Sequence, residues 1–188
     1  FGAARPLIVS IVAGITEADI DAWLGGGFPV VRCMPNTPAL VRQGISALHA
    51  NPHVSAAQRE QADHILRAVG SVLWVPEETQ LDAVTALSGS GPAYFFAVME
   101  AMEQAGVALG LSADVARRLT LQTALGSAVL ATQSGDAPAT LRAQVTSPGG
   151  TTQAALEVLQ GGGLARLFNE AIGAANRRAG ELARQAQD

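Results

Sequence analysis

The sequence predicts an α/β region followed by an all-α region, and two observations indicate this fold class. Up to about Pro76, apolar runs of strand type alternate with capped helices, whereas from Glu77 onward the strand patterns vanish. The 188 residues suffice for one large domain or two small ones. We therefore expect an α/β domain over 1–76 and a helical domain over 77–188.

Four strands are expected in the first domain. The run from Leu7 to Ala13 is apolar apart from Ser10 and is interpreted as one continuous strand, as in a sheet buried on both faces. Similar runs predict strands over 28–34, 44–50 and 71–75. With two intervening helices, the element order is β-α-β-β-α-β, which is typical of part of a dinucleotide-binding (Rossmann-type) sheet.

Capping boxes predict the two helices of this domain. Thr16 is followed at the third helical position by Asp19. Ser55 stands in the same relation to Gln58. In such a box the hydroxyl accepts the backbone N–H of the third helical residue, whose side chain in turn accepts the N–H of the cap. The second helix is expected to run to about Val69.

The sequence pattern predicts a series of helices in the second domain. Gly110 is expected to end one of them, and Ser112 to cap the next. The segment Ser88–Pro92 is interpreted as a helix break in which Ser90 caps the following helix; the alternative is a close approach of its backbone to a ligand or a partner chain. Helices are expected over 81–87, 92–109, 113–133 and 138–145, then one that opens within the segment Val145–Gln153 and runs to Leu159, and a last one over 164–186.

The helices of the second domain are strongly apolar. The most apolar stretch, Pro92–Leu109, contains Glu100 and Glu103, which argues against a membrane span. A helix that is apolar nearly all round is otherwise buried in a large core or a subunit interface. Gly106 and Gly126 favour close helix packing, since an interior glycine costs about 1 kcal/mol relative to alanine. We therefore expect a homo-oligomer and no membrane partner.

Charge and cysteine content exclude several function classes. The net charge is −4, and the Arg117-Arg118 and Arg177-Arg178 pairs are interpreted as solvated helix faces, so no nucleic-acid partner is expected. The single cysteine, Cys33, excludes an internal disulfide and fits a reducing, cytoplasmic location. The histidines are interpreted as solvated surface residues without metal-ligand spacing: His49, His53 and His64.

One candidate ligand loop, Arg32–Pro38, follows directly on the second strand. Ligands of open α/β sheets bind beyond the carboxyl ends of the strands. Pro35 and Pro38 hold the loop extended, and Asn36 is expected to present its amide to a ligand. The alternative is a rigid turn in which Cys33 is a small buried hydrophobic residue, since no neighbour in sequence favours its thiolate.

The most informative segment is Val145–Gln153, which predicts a turn that opens a helix. Ser147 is the expected N-cap, and Pro148 the first helical residue. Gly149 and Gly150 would then leave backbone N–H groups bare at the positive end of the helix dipole, an arrangement that binds anions. We interpret the loop as a cradle for a small carboxylate; the alternative is an ordinary loop between two helices.

Three motifs stand in this chain in a fixed order: RCMPNTP from Arg32, LSGSGPAY from Leu87 and VTSPGGTT from Val145. Together they resemble the pyrroline-5-carboxylate reductase family from about Leu7 to Gly180, and the third motif is the most specific. The resemblance implies reduction of 1-pyrroline-5-carboxylate to L-proline, the last step of proline biosynthesis, by NADPH or NADH. It also implies a homodimer formed by the helical domains, which assembles into a higher homo-oligomer.

The resemblance implies roles for individual residues. Thr152 is the implied catalytic residue, with its hydroxyl near the ring nitrogen of the substrate. The cofactor would be bordered by Cys33, Met34 and Pro35, with Asn36 and Thr37 supporting that loop. The substrate carboxylate and ring would be held by Ser147, Gly149, Gly150, Thr151 and Thr152.

One part of the family's pattern is missing from the sequence. The Gly-rich loop that binds the cofactor's pyrophosphate has no counterpart, because Gly25–Gly27 precedes a strand instead of joining a strand to a helix. We therefore expect the first part of the Rossmann domain to be absent from this sequence, which begins at Phe1. Two alternatives stay open: a non-catalytic helical dimerisation fragment, and a different dehydrogenase such as a β-hydroxyacid dehydrogenase. The second would need a catalytic lysine, and the chain contains none.

Overall fold

The structure is a computed structural model that describes residues 5–185. Residues 5–92 and 170–185 form one compact unit, here called the sheet unit. Residues 93–169 form a second, here called the helical unit. The division of the chain into domains after residue 76 stays a prediction.

The described residues confirm the predicted order of elements. The strands are β1 (Ile8–Ser10), β2 (Val30–Met34), β3 (Gly44–Ala50) and β4 (Gly70–Trp74). The helices are α1 (Glu17–Trp23), α2 (Ala56–Arg67), α3 (Gln80–Val84), α4 (Gly91–Ala108), α5 (Ala113–Ser134), α6 (Pro138–Gln144), α7 (Thr151–Gly161) and α8 (Leu164–Gln185). A 3₁₀ helix (Thr37–Val41) lies between β2 and β3, and a π-helical turn (Thr85–Gly89) follows α3.

The four strands form one mixed sheet in the order β1-β2-β3-β4. β1 is parallel to β2 and β3 to β4, whereas β2 and β3 are antiparallel and set Cys33 opposite Leu48 and Met34 opposite Ala47. Because side chains alternate along a strand, these two pairs lie on opposite faces. The Cys33 face packs against α2, and the Met34 face packs against α3. The core of the sheet unit therefore has two layers, one on each side of the sheet.

Two strands are shorter than predicted, and in both cases a side chain takes the place of strand pairing. β1 ends at Ser10, whose Oγ accepts the Val12 N–H at 3.3 Å. β2 begins at Val30, not at Phe28. There the Asn51 side chain accepts the Val30 N–H at 3.1 Å and donates to the Phe28 carbonyl at 2.9 Å.

Both predicted capping boxes are confirmed. The Thr16 hydroxyl accepts the Asp19 N–H at 3.1 Å, and the Asp19 carboxylate accepts the Thr16 N–H at 2.9 Å. Ser55 and Gln58 exchange the same two bonds at 3.3 and 3.0 Å. These bonds satisfy backbone donors that helix starts otherwise leave unpaired.

The prediction of a helix break at Ser88–Pro92 is wrong, because the chain stays helical through most of this segment. The Ser90 N–H donates to the Thr85 carbonyl, five residues back, at 2.8 Å. Ser90 itself has helical backbone angles (φ −82°, ψ −17°) and is therefore not the expected N-cap. The wider π-helical turn accommodates one extra residue, so that the chain passes from α3 into α4 almost without interruption.

The helical unit has a very small buried interior. Among residues 93–169, only Ala116 and Thr120 of α5 are buried. A Cβ built on Gly106 would lie 3.1 Å from the Ala116 Cβ, which confirms a close helix approach there. A Cβ on Gly126 would meet nothing within 4 Å, so that glycine makes no such approach within the described chain. No helix among residues 5–185 is both long enough and apolar enough to cross a membrane.

Candidate functional site

The carboxyl ends of the parallel strands β1 and β2 lie at one edge of the sheet, which is where open α/β sheets bind ligands. Ile11 and Val12, just beyond β1, are 61% and 55% exposed. Met34 ends β2 in a buried position, and Pro35 follows it. The sequence analysis did not identify Ile11 and Val12 as exposed residues at this edge, because it placed them inside the first strand. The polar Ser10 within that run was the available sign that the strand ends there.

Asn36 holds the loop after β2 in place. Its Oδ1 accepts the Ile45 N–H of β3 at 3.0 Å. Its Nδ2 lies 3.3 Å from the Ser88 carbonyl oxygen and 3.4 Å from the Ser88 Oγ. Both ends of the amide are thus used within the protein, which corrects the expectation that Asn36 presents its amide to a ligand. The same contacts bring the first and second motifs together, and Thr37 starts the 3₁₀ helix directly afterwards.

Cys33 is a core residue. Its side chain packs with Val31, Leu48 and Ala62 and is 2% exposed. Burial raises the pKa of the Cys33 thiol to about 11, so the thiol stays protonated at neutral pH. Only the backbone of Cys33 is therefore available to a ligand, in line with the alternative interpretation of a small buried hydrophobic residue.

A network of charged side chains crosses the face of the sheet opposite to Cys33. Arg32 Nη1 donates to Glu78 Oε1 at 2.8 Å, and the same oxygen accepts the Glu17 N–H at 2.8 Å. His49 Nδ1 lies 2.6 Å from Glu17 Oε1, while its Nε2 lies 3.2 Å from the Pro76 carbonyl oxygen. These bonds connect α1, β2 and β3 with the segment between β4 and α3.

The side chains of Glu17 and His49 form a hydrogen-bonded pair, and both are largely buried. Burial raises the pKa of Glu17, and the hydrogen bond with His49 opposes that rise. The expectation of a solvated His49 is therefore wrong, because the antiparallel register sets it opposite Arg32 on an inner face. His53 and His64 are exposed, as predicted.

The third motif forms a tight turn in the helical unit. The Gly150 N–H donates to the Ser147 carbonyl at 3.0 Å. Pro148 and Gly149 occupy the two central positions, and Gly149 has the left-handed φ of 71° that a type II turn requires there. The Gly149 N–H donates to Gln153 Oε1 at 2.7 Å. Both glycine N–H groups are therefore used inside the loop and are not the bare donors that the sequence suggested.

The helix start lies three residues later than predicted. Gly150, not Ser147, is the N-cap of α7, and Thr151 is its first residue. No side chain caps this end of the helix, and the first intrahelical bond is donated by the Ala154 N–H to the Gly150 carbonyl at 3.2 Å. The donors at the positive end of the helix dipole are therefore the N–H groups of residues 151–153.

Comparisons with known proteins place these features in one family. Residues 78–182 match the family described as "Pyrroline-5-carboxylate reductase dimerisation". The chain is 60% identical over 179 residues to the pyrroline-5-carboxylate reductase of Pseudomonas aeruginosa, covering 95% of this chain and 66% of that protein. It is 45% identical over 187 residues to the enzyme of the same name from Synechocystis, covering 98% and 68%. The chain belongs to the pyrroline-5-carboxylate reductase family.

Solved structures of the pyrroline-5-carboxylate reductase family share the fold described above. The structure from Coxiella burnetii matches with a TM-score of 0.93 and 46% identity, over 96% of this chain and 67% of that one. The structure from Plasmodium falciparum, solved with NADP bound, matches with a TM-score of 0.87 and 30% identity, over 94% and 71%. These matches confirm the predicted fold class of an α/β part followed by a helical part.

The chain spans about two thirds of the length of the relatives that it matches. Among the described residues, Gly25–Gly27 connects α1 to β2, and all three glycines have positive φ values (93°, 85° and 76°). They form a helix-to-strand turn, as the sequence indicated. The family's strand-to-helix phosphate loop thus has no counterpart between residues 5 and 185.

Proposed function

We propose that this chain carries the substrate-binding loop and the nicotinamide-facing edge of an enzyme that reduces 1-pyrroline-5-carboxylate to L-proline with NADPH or NADH. The observation that carries the proposal is the uncapped first turn of α7, formed by the third motif, which lies within the residues that match the family. The relatives named pyrroline-5-carboxylate reductase support the same reaction, since they are up to 60% identical to this chain. The proposed location is the cytoplasm.

The carboxylate of the substrate is assigned to the start of α7. The N–H groups of Thr151 and Thr152 lack intrahelical acceptors, and the helix dipole adds favourable charge for an anion. Ser147, at the first position of the turn, contributes a hydroxyl beside them. Gly149 and Gly150 shape the turn, and their own N–H groups stay within the loop.

The sheet unit fits the nicotinamide end of a dinucleotide cofactor. The exposed Ile11 and Val12 offer apolar surface beyond β1, next to the end of β2 at Met34. Pro35 and the backbone of Cys33 would border the ring, while Asn36 and Thr37 keep that loop in place. The cofactor supplies the hydride when it is bound. The phosphate end has no matching loop among the described residues.

The protein's contribution to the reaction is positioning. The ring carbon of the substrate's C=N bond accepts the hydride, and the nitrogen takes the electron pair of the double bond. A substrate that is protonated at nitrogen needs no acid from the protein for this step. Thr152, half-buried in the first turn of α7, directs its hydroxyl to the ring nitrogen and so selects the ring face that receives the hydride.

The helical unit supports the proposed homodimer and the higher homo-oligomer built from it. Its residues match a dimerisation family, and nearly all of its apolar side chains are exposed in a single chain. A second copy of the same surface would cover them.

The test of the proposed function is Thr152→Ala in the full-length protein. We expect kcat/KM for 1-pyrroline-5-carboxylate to fall by about 10- to 100-fold, the scale of one lost positioning hydrogen bond. Thr140→Ala, an exposed threonine on α6, is the matched control and should behave like the wild type. NADPH-dependent proline formation is measured by NADPH oxidation and product analysis. Wild-type protein that binds NADPH but forms no proline would overturn the proposal, and unchanged kinetics of Thr152→Ala would remove Thr152 from it.

A further inference from the structure

The structure assigns Gln153 a role beyond those of the motif residues: we propose that it is a positioning residue that holds the Ser147–Gly150 turn against α7 in the conformation that receives the substrate. This inference rests on the proposed function of the turn. Gln153 lies outside the run from Ser147 to Thr152 that the resemblance assigns to substrate binding. Its two amide ends make two different bonds, and together these define the role.

The first bond reaches back into the turn. Gln153 Oε1 accepts the Gly149 N–H at 2.7 Å, a short distance for an uncharged pair. Gly149 is the residue with the left-handed φ of 71°, so this bond holds the glycine whose unusual backbone angle shapes the turn. A Cβ on Gly149 would meet nothing within 4 Å, so no other group packs against that side of the residue.

The second bond fixes the orientation of the amide. Gln153 Nε2 donates to Glu157 Oε1 at 2.9 Å, one helical turn further along α7. A carboxylate can accept but cannot donate, so it selects the rotamer in which the amide nitrogen faces Glu157 and the oxygen faces Gly149. The two bonds form a chain from Glu157 through Gln153 to the turn.

The two bonds of Gln153 determine which backbone N–H groups are available to the substrate carboxylate. With the Gly149 N–H bound to Gln153 and the Gly150 N–H bound to Ser147, neither is left to compete for the carboxylate. The N–H groups of the first turn of α7, at residues 151–153, lack intrahelical acceptors and stay available to a carboxylate. Gln153 thereby directs the carboxylate to Thr151 and Thr152 and sets the ring at one distance from the Thr152 hydroxyl.

Gln153→Met tests this role in the full-length protein, because methionine keeps the length and helix propensity of the side chain but offers only a weak sulfur acceptor in place of the amide oxygen. We expect KM for 1-pyrroline-5-carboxylate to rise about five- to tenfold, while KM for NADPH and the melting temperature stay unchanged. Glu157→Ala should raise the same KM by a smaller factor, since the amide loses only its orientation. Gln160→Met, the same replacement near the other end of α7, is the matched control.

A second measurement does not depend on catalysis. Hydrogen–deuterium exchange of the segment 146–153 should be faster in Gln153→Met than in the wild type, because the Gly149 N–H loses its acceptor. If the wild type lacks reductase activity but this difference is seen, the proposed function fails while the turn-holding role stands. Unchanged exchange, or a KM for 1-pyrroline-5-carboxylate that is unchanged or lower in Gln153→Met, would overturn the inference.

Discussion

The sheet unit and the helical unit bury their apolar side chains in different ways. Val30, Val31, Leu48 and Leu81 are fully buried within the sheet unit. In the helical unit the large apolar residues lie at the surface instead: Phe95 is 68% exposed, Phe96 62%, Leu125 58% and Leu119 56%. The sheet unit thus forms a buried core within one chain. The helical unit is as rich in apolar residues as a core, but within one chain these residues stay exposed.

The two units therefore draw their stability from different sources. Hydrophobic stabilisation is roughly proportional to the apolar area removed from water, at about 25 cal/mol per Å². For the sheet unit that area is removed by its own helices. For the helical unit we propose that it is removed by a second copy, so that folding and assembly are linked through protein concentration.

The largest expected effect comes from placing a charge on the exposed face of α5. Leu125→Glu should weaken self-association by about a hundredfold or more, because a buried and unpaired carboxylate costs several kcal/mol. Sedimentation velocity measures the change. Ile65→Glu is the matched control, since Ile65 of α2 is 57% exposed and Leu125 is 58% exposed. Equal behaviour of the two variants would mean that no partner covers the helical unit at Leu125.

The second largest effect is expected on the stability of the sheet unit. Leu48→Ala removes a fully buried side chain from the sheet core and should lower the free energy of unfolding by about 2–5 kcal/mol. Self-association should not change at protein concentrations where the variant is folded. Leu40→Ala, at a position that is 90% exposed, should change the stability by no more than about 0.5 kcal/mol. Urea denaturation of both variants is the measurement, and similar losses of stability would contradict the assigned core.

The smallest effect concerns the Glu17–His49 pair of the sheet unit. Since burial raises the folded-state pKa of Glu17, the folded protein binds a proton at the Glu17 carboxyl more tightly than the unfolded chain does. The stability that this adds is fully present below the ordinary glutamate pKa of about 4.3 and is lost as the pH rises through the folded-state pKa. Urea denaturation of the wild type and Glu17→Gln across this range should show the wild type losing stability relative to the variant. A relative gain with rising pH would contradict the assignment.

Patterns that depend on neighbours in sequence were predicted well. The capping boxes at Thr16 and Ser55 are present, because each needs only a hydroxyl and a partner three residues later. The strand over 44–50 has the predicted bounds. In the third motif the sequence predicted a turn and a helix start but placed the N-cap at Ser147 instead of Gly150. It did not predict that the N–H groups of Gly149 and Gly150 are taken up by Gln153 and Ser147.

Features that depend on distant partners were predicted poorly. His49 was expected in solvent, yet the sheet register sets it beside the side chains of Glu17 and Arg32. Asn36 was expected to face a ligand, yet its amide is bound by Ser88 and Ile45. In each case the partner lies nine or more residues away along the chain, where no local pattern signals it.

By itself the sequence determined the order of strands and helices, the family and the segment that forms the proposed carboxylate site, because apolar periodicity, capping residues and short motifs are local properties of the chain. Only the structure decided which N–H groups of that segment stay open, because the short bonds within the turn depend on the backbone conformation that it adopts. The tertiary structure also decided which side chains pair across the sheet and which apolar faces stay uncovered. Those two outcomes depend on register and packing, which bring together residues that are far apart in sequence.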